Sequence, residues 1–282
     1  MEIACLDHCL TESEQLEFEQ NGYFVVEDVL PSSLLEKFCA IGDRIDAHYR
    51  PARAMGAHER LSIRDCLKDD DLFVELLDWP QVFPKVWGIL GWNIQLYHST
   101  IVITPPEENG AKAEKKHWGW HQDSGRLNAE MEGNPRPRIS LKVGFFLTDT
   151  TRADKANLYV VPGSHLHNEI EFPADGLGNP EGALALLIPA GAAVIFDRRL
   201  WHTASPNYSN TTRKLLLYGY SYRWIRPRDN MTVDHLMERC DPIRQQLLGA
   251  TTDQYGYSSP VDADVPLKTW LEEHLGSTAI AP

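Results

Sequence analysis

"IPAGAAVIFDRRLWHTASPNYSNTTRKLLLYGYSYRW", Ile188 to Trp224, alternates apolar strand-like runs with short polar turns. Ala192 to Phe196 is an apolar run, "DRRLWHTASPNYSNTT" supplies turn chemistry, and Arg213 to Trp224 is a long run rich in aromatic residues. The pattern repeats upstream. "NIQLYHSTIVIT" (93–104), "RISLKVGFFLTDT" (138–150), "NLYVV" (157–161) and "ALALLIPAGAAVIF" (183–196) read as strands separated by Gly, Pro, Asn and Asp. Before residue 92 the period changes. Thr11 followed by Glu14 is a capping box, so a short helix is expected from Glu12 to about Gln20. "NGYFVVEDVL" adds a turn and a short strand, and Leu34, Leu35, Phe38, Ile41 and Ile45 share one helical face. Residues 68–91 also read as helical, with Leu72, Leu76, Val82, Phe83, Val86 and Ile89 towards a core. Helices followed by strands with turn chemistry predict a β-sandwich or barrel with a helical layer outside.

The chain's 282 residues fit one large domain or at most two small ones. No repeat, low-complexity segment or linker divides it. One domain over 1–282 is expected: a helical part to about 91, a barrel over about 92–226, and a mixed, helix-leaning tail. A net charge of -13 argues against nucleic acid or an anionic membrane surface as partner and leaves a small molecule. Five scattered cysteines without a CxxC pair fit a reducing compartment. Asp7 and His8 interrupt any secretory apolar region, and no apolar run approaches a membrane span, so the expected location is cytoplasmic.

"GWHQDSGR" (119–126) places His121 and Asp123 two apart, on one side of an extended segment. Two histidines and one carboxylate on one face of a metal leave positions open for substrate and dioxygen, as in non-haem Fe(II) oxygenases. An HxD pair alone carries little in a chain with eleven histidines. His202, just after the 192–196 strand, is a third ligand candidate held by a rigid element. Arg213, eleven residues on, shares a strand face with Leu215, Leu217, Gly219, Ser221 and Arg223. An arginine on an apolar barrel face calls for a buried anion, and the competing reading is a solvated arginine at a strand end. His117, four before His121, reads as a loop residue, and His165 in "VPGSHLH" as a structural one.

The order "HQD", "VPGSH", "WHTASPNYSNTTR", with "NGYFVVEDVL" ahead of it, resembles the phytanoyl-CoA dioxygenase family of Fe(II)/2-oxoglutarate oxygenases over most of the chain. The resemblance implies a mainly β fold with flanking helices, a double-stranded β-helix (jelly-roll, cupin-like) barrel. It implies that His121, Asp123 and His202 hold Fe(II) and that Arg213 pairs with the distal carboxylate of 2-oxoglutarate. It also implies O2 as co-substrate, release of succinate and CO2, and hydroxylation of an unactivated C–H bond in a small-molecule metabolite. Asp123 stands where related halogenases carry a small residue, which disfavours halogenation.

Trp118, Trp120, Gln122, Ser124 and Arg126 flank the ligands and are expected at the cavity mouth. Lys142, on the Ser140/Lys142/Gly144 face of its strand, is expected to touch the co-substrate or an anionic substrate, with solvent as the competing reading. Arg223 is expected to contact substrate because it shares the face of Arg213. Lysines 112, 115 and 116 read as a solvated loop. Two rival functions are a catalytically silent metabolite-binding barrel and a cupin-like metal-dependent isomerase or lyase, neither of which needs the full set of four residues.

Overall fold

The computed structural model describes residues 1–108, 118–174 and 178–277, so lysines 112, 115 and 116 and His117 lie outside the described residues. Among the described residues nine strands form two antiparallel sheets: β1 (Tyr23–Val26), β2 (Leu61–Arg64), β3 (Ile94–Thr104), β4 (Ser140–Phe146), β5 (Leu158–Val160), β6 (Leu184–Ala185), β7 (Ala193–Asp197), β8 (His202–Ala204) and β9 (Arg213–Tyr222). The larger sheet runs β1-β7-β4-β9-β3-β2 and the smaller β6-β5-β8. Helices α1 (Glu12–Asn21), α2 (Ser32–Ala52) and α3 (Phe83–Leu90) precede most strands. A short α4 (Gly125–Glu130) interrupts them, and α5 (Asp234–Met237), α6 (Pro242–Leu247) and α7 (Pro266–Leu275) form the tail. Among the described residues no helix is long and apolar enough to cross a membrane.

Period-two alternation on β4 decides the layering. Leu141, Val143 and Phe145 point to a core shared with Phe38, Phe73 and Phe83 of the helical layer. Phe146, with Leu215 of β9, instead joins Leu158 and Val160 of the smaller sheet, and Leu186 just past β6, in a second core. The two sheets therefore pack face to face through that second core, and Lys142 and Gly144 open onto the space between them.

The capping box forms as expected, with the Thr11 hydroxyl accepting from the Glu14 amide at 3.2 Å and Glu14 accepting from the Thr11 amide at 2.9 Å. Gly22 ends α1 at φ +81, and a Cβ there would meet the His165 ring at 2.6 Å. The reading of 68–91 as helical needs correction. The segment holds 3-10 turns at Cys66–Lys68 and Asp71–Leu76 and an α-helix only from Phe83. Pro80 and Pro84 break the ladder. The carbonyls of Phe73 and Leu77, which a continuous helix would use itself, accept from the buried hydroxyls of Tyr218 and Tyr220 on β9. The strand β2, between two charged stretches, was not expected.

Candidate metal centre and its cavity

His121 and His202 are joined by a reciprocal backbone pair: the His121 amide donates to His202 O at 3.1 Å and the His202 amide to His121 O at 3.0 Å. The pairing sets the two rings 4.4 Å apart between centroids. Each ring is oriented in the same way. His121 Nδ1 lies 2.8 Å from Gly119 O, and His202 Nδ1 lies 2.8 Å from Leu200 O. A carbonyl only accepts, so both Nδ1 atoms carry the proton and both Nε2 atoms present a lone pair. Gly119 delivers its carbonyl from φ +74, a conformation that suits glycine. Burial, only partly offset by Asp123, pulls the His202 pKa down to about 4, which keeps the ring neutral and ligating.

Asp123 follows one alternation later, its amide bonded to Arg198 O at 2.8 Å and its carbonyl accepting from Asn128 Nδ2 at 2.8 Å. Ser124, in the left-handed region, then turns the chain into α4. Asp123 is buried, and Oδ1 accepts from Lys142 Nζ at 2.7 Å while Oδ2 has no hydrogen-bond partner. Burial alone would push this carboxyl up, but the Lys142 ammonium and the two histidines hold it well below the usual carboxylate range. The three side chains offer ligand atoms within 4.8 Å of one another, and they are the one such group of His, Cys, Asp or Glu among the described residues. Two free Nε2 lone pairs and an orphaned carboxylate oxygen fit a divalent metal.

Between the sheets, a cavity of about 130 Å³ runs from these histidines to Arg213. Its walls include Phe146, Leu158, Phe196, Leu215 and Leu217. Arg213 is buried; Nε and Nη2 share one neutral acceptor, Ala156 O, at 3.1 and 3.0 Å, and Nη1 has none. Burial first, and the nearby charge of Arg60 second, pull its pKa down to about 9 and leave it charged at neutral pH. No carboxylate lies within ion-pair distance of Arg213 among the described residues, so a buried cation faces the cavity without a counterion. The reading of Arg213 as a solvated strand-end residue is thereby set aside.

Lys142 lines the same cavity with its ammonium turned to Asp123. Arg60 lines it too and was not foreseen; it arrives from the segment ahead of β2, and nothing in "HERLSIR" marks it. His165 is buried with Nε2 3.2 Å from Glu19 O, in keeping with its structural reading.

The flanking residues divide. Trp118 lines the small cavity. Trp120 and Gln122 do not, because the alternation that aims His121 and Asp123 inward turns them away. Trp120 Nε1 donates to Asn179 Oδ1 at 3.2 Å, and Gln122 Nε2 donates to the carbonyls of His167 and Arg199. Ser124 and Arg126 line a different cavity, beyond Asp123. Arg223 stands ten positions, roughly 33 Å of strand, from Arg213 and lines a third cavity, which shares Trp224, Ile225 and Arg226 with that of Ser124. It is buried against Tyr257 and donates to Ala250 O at 3.0 Å.

A two-histidine, one-carboxylate facial set opening on a cation-ended cavity between antiparallel sheets defines a non-haem iron oxygenase type of centre. Residues 18–215 match the family described as Phytanoyl-CoA dioxygenase (PhyH), and the chain belongs to that family. It is 22% identical over 236 residues to L-proline trans-4-hydroxylase of Streptomyces griseoviridis, covering 73% of this chain and 85% of that one. Among solved structures, the epimerase SnoN in complex with Fe3+, alpha ketoglutarate and nogalamycin RO aligns with a TM-score of 0.57 at 18% identity, covering 77% of this chain and 86% of its own. HygX from Streptomyces hygroscopicus, with nickel and 2-oxoglutarate bound, aligns with a TM-score of 0.58 at 15% identity, over 78% and 90%.

Proposed function

We propose that the protein is a dioxygenase that hydroxylates an unactivated C–H bond of a small molecule, with succinate and CO2 as co-products. The carrying observation is the continuity of the site: three convergent ligand atoms at one end of a cavity and an uncompensated buried arginine at the other. In this reading His121, Asp123 and His202 hold Fe(II), and Arg213, aided by Arg60, takes the distal carboxylate of 2-oxoglutarate. Lys142 fixes the Asp123 carboxylate through Oδ1 and leaves Oδ2 for the metal. Iron with 2-oxoglutarate supplies, when bound, the oxidising power drawn from dioxygen.

Relationship to a proline hydroxylase supports hydroxylation over epimerisation. Two antiparallel sheets packed through a shared core support a single domain built on a double-stranded β-helix barrel. Five free cysteines support a cytoplasmic location. The retained set of ligands and Arg213 weighs against a silent binding barrel, and Arg213 itself against a cupin-like isomerase or lyase. Anaerobic addition of Fe(II) and 2-oxoglutarate is expected to give a weak visible charge-transfer band that Asp123→Ala and His202→Ala abolish. Absence of the band in the unaltered protein overturns the proposal, and succinate release across a panel of small molecules then reads out turnover.

A further inference from the structure

A second cavity, of about 560 Å³, lies on the other side of Asp123. The face of β4 fixes the order. Ser140 lines the larger cavity, Lys142 reaches Asp123, and Gly144 and Phe146 line the small one, each step of two residues advancing about 7 Å. Ser124 and Gly125, directly after Asp123, line the larger cavity as well. The metal centre thus stands between the two spaces, and with the co-substrate assigned to the small one, the large one is left for the molecule to be oxidised. Its volume suits a molecule of ordinary metabolite size.

The lining of this cavity runs against the charge of the chain. The protein carries 40 acidic and 27 basic residues, yet three arginines (Arg126, Arg226 and Arg228) and no carboxylate line the space. Arg126 is paired with Glu130 at 2.6 Å. Arg226 and Arg228 are exposed and have no ion-pair partner among the described residues. Asp229, next in sequence, is taken up by the Ser99 amide and hydroxyl and by His98 Nδ1. The rest of the lining is largely apolar: Leu127, Ile139, Ile225 and Trp224, which is 52% exposed and stacks on Tyr222 at 5.5 Å. Tyr97 and Ser140, hydroxyls 3.3 Å apart, supply the polar floor on the side of Asp123.

From this lining, and resting on the oxygenase reading above, we propose that the substrate is a small organic anion with a flat apolar body. Its carboxylate or phosphate meets Arg226 and Arg228, its body lies along Trp224 and Ile225, and the carbon to be oxidised points past Tyr97 towards the metal. Arginine matches either anion in a forked geometry, and an exposed indole face takes a ring or planar chain. Because the recognising arginines are exposed, the anion also gains from their field before it enters.

Calorimetric titration under anaerobic conditions tests the inference, with naphthalene carboxylate, naphthyl phosphate and the neutral naphthalene carboxamide as probes. Each titration is run on the protein alone and on protein loaded with Fe(II) and 2-oxoglutarate. At least one acid is expected to bind about tenfold more tightly than the amide in both states, with the better acid identifying the headgroup. The Arg226→Gln/Arg228→Gln protein is expected to lose that preference, and Trp224→Ala to weaken all three probes alike. These exposed positions leave the fold intact. Equal binding of acid and amide, a preference that survives the double substitution, or no binding at millimolar probe overturns the inference. Since the titrations are also run without iron, failure of the oxygenase reading registers separately, as a missing charge-transfer band.

Discussion

Lys142 Nζ sits 2.7 Å from Asp123 Oδ1, with both side chains nearly inaccessible to solvent, while Asp123 Oδ2 meets no donor. A buried ammonium–carboxylate pair of this kind compensates charge in the metal-free protein and leaves one oxygen for a dication. Lys142→Met removes the compensation and leaves a buried carboxylate alone, so the metal-free variant should lose about 3–5 kcal/mol of stability. A bound dication restores the missing positive charge. The gap between variant and parent in urea unfolding should therefore narrow when Mn(II) is added; a gap unchanged by metal would show that Lys142 does not act through Asp123.

At the far end of the small cavity, Arg213 has one neutral acceptor and a free Nη1. Arg213→Met should raise the 2-oxoglutarate concentration that half-saturates the charge-transfer band by about a hundredfold, roughly 3 kcal/mol. Arg60 adds charge to the same space from a more open position, so Arg60→Gln should raise it only about threefold. An anaerobic titration of Fe(II)-loaded protein measures both. Equal effects from the two substitutions would contradict the assignment of Arg213 as the anchor.

Local rules in the sequence placed His121 and Asp123 on one side of an extended segment, and the structure brings them together with His202. The period-two argument that puts His121 and Asp123 on one side also puts Trp120 and Gln122 on the other. Both in fact bond outward, to Asn179 and to backbone carbonyls. Arg223 does not line the cavity of Arg213, since alternation fixes direction and strand rise fixes reach. Arg60 was not legible at all, because it reaches the cavity through the pairing of β2 with β3, a contact that no local pattern encodes. The helical period over 68–91 was real in its apolar spacing but lost to two prolines and to tyrosine hydroxyls from β9.

Asp197 closes β7 and is wholly buried, accepting from Arg199 through both oxygens and from Arg138 Nε at 3.0 Å. Burial alone would raise its pKa, but the hydrogen bonds and charge of Arg199, with Arg138, hold it below the usual carboxylate value. A folded-state pKa below the unfolded one contributes stability that is present above the unfolded value and is lost as pH falls through the folded one. Urea midpoints should therefore drop as pH falls below about 4, the unfolded carboxylate value. Asp197→Asn should cost about 3–5 kcal/mol at neutral pH and flatten that acid dependence. An equally steep acid loss in the variant would place the titrating group elsewhere.

Gly219 of β9 and Tyr97 of β3 are coupled by a bulge. The register of β3 against β9 shifts between Leu96 and His98, and the extra residue turns the Tyr97 ring across Gly219. A Cβ at 219 would stand 2.6 Å from Tyr97 Cε1, so the small residue is required by close approach rather than by backbone dihedral. Gly219→Ala should then cost about 1–3 kcal/mol by forcing the ring aside. Tyr97→Ala alone should cost about 3–5 kcal/mol, as for other buried aromatics. With the ring gone, the nearest atom the added methyl meets is the His98 Cβ, at 3.3 Å, so the double variant should be little less stable than Tyr97→Ala by itself. Urea unfolding of the four proteins gives the coupling energy directly. Simple additivity would mean that the ring and the glycine do not meet, and that the floor of the larger cavity is not set by this bulge.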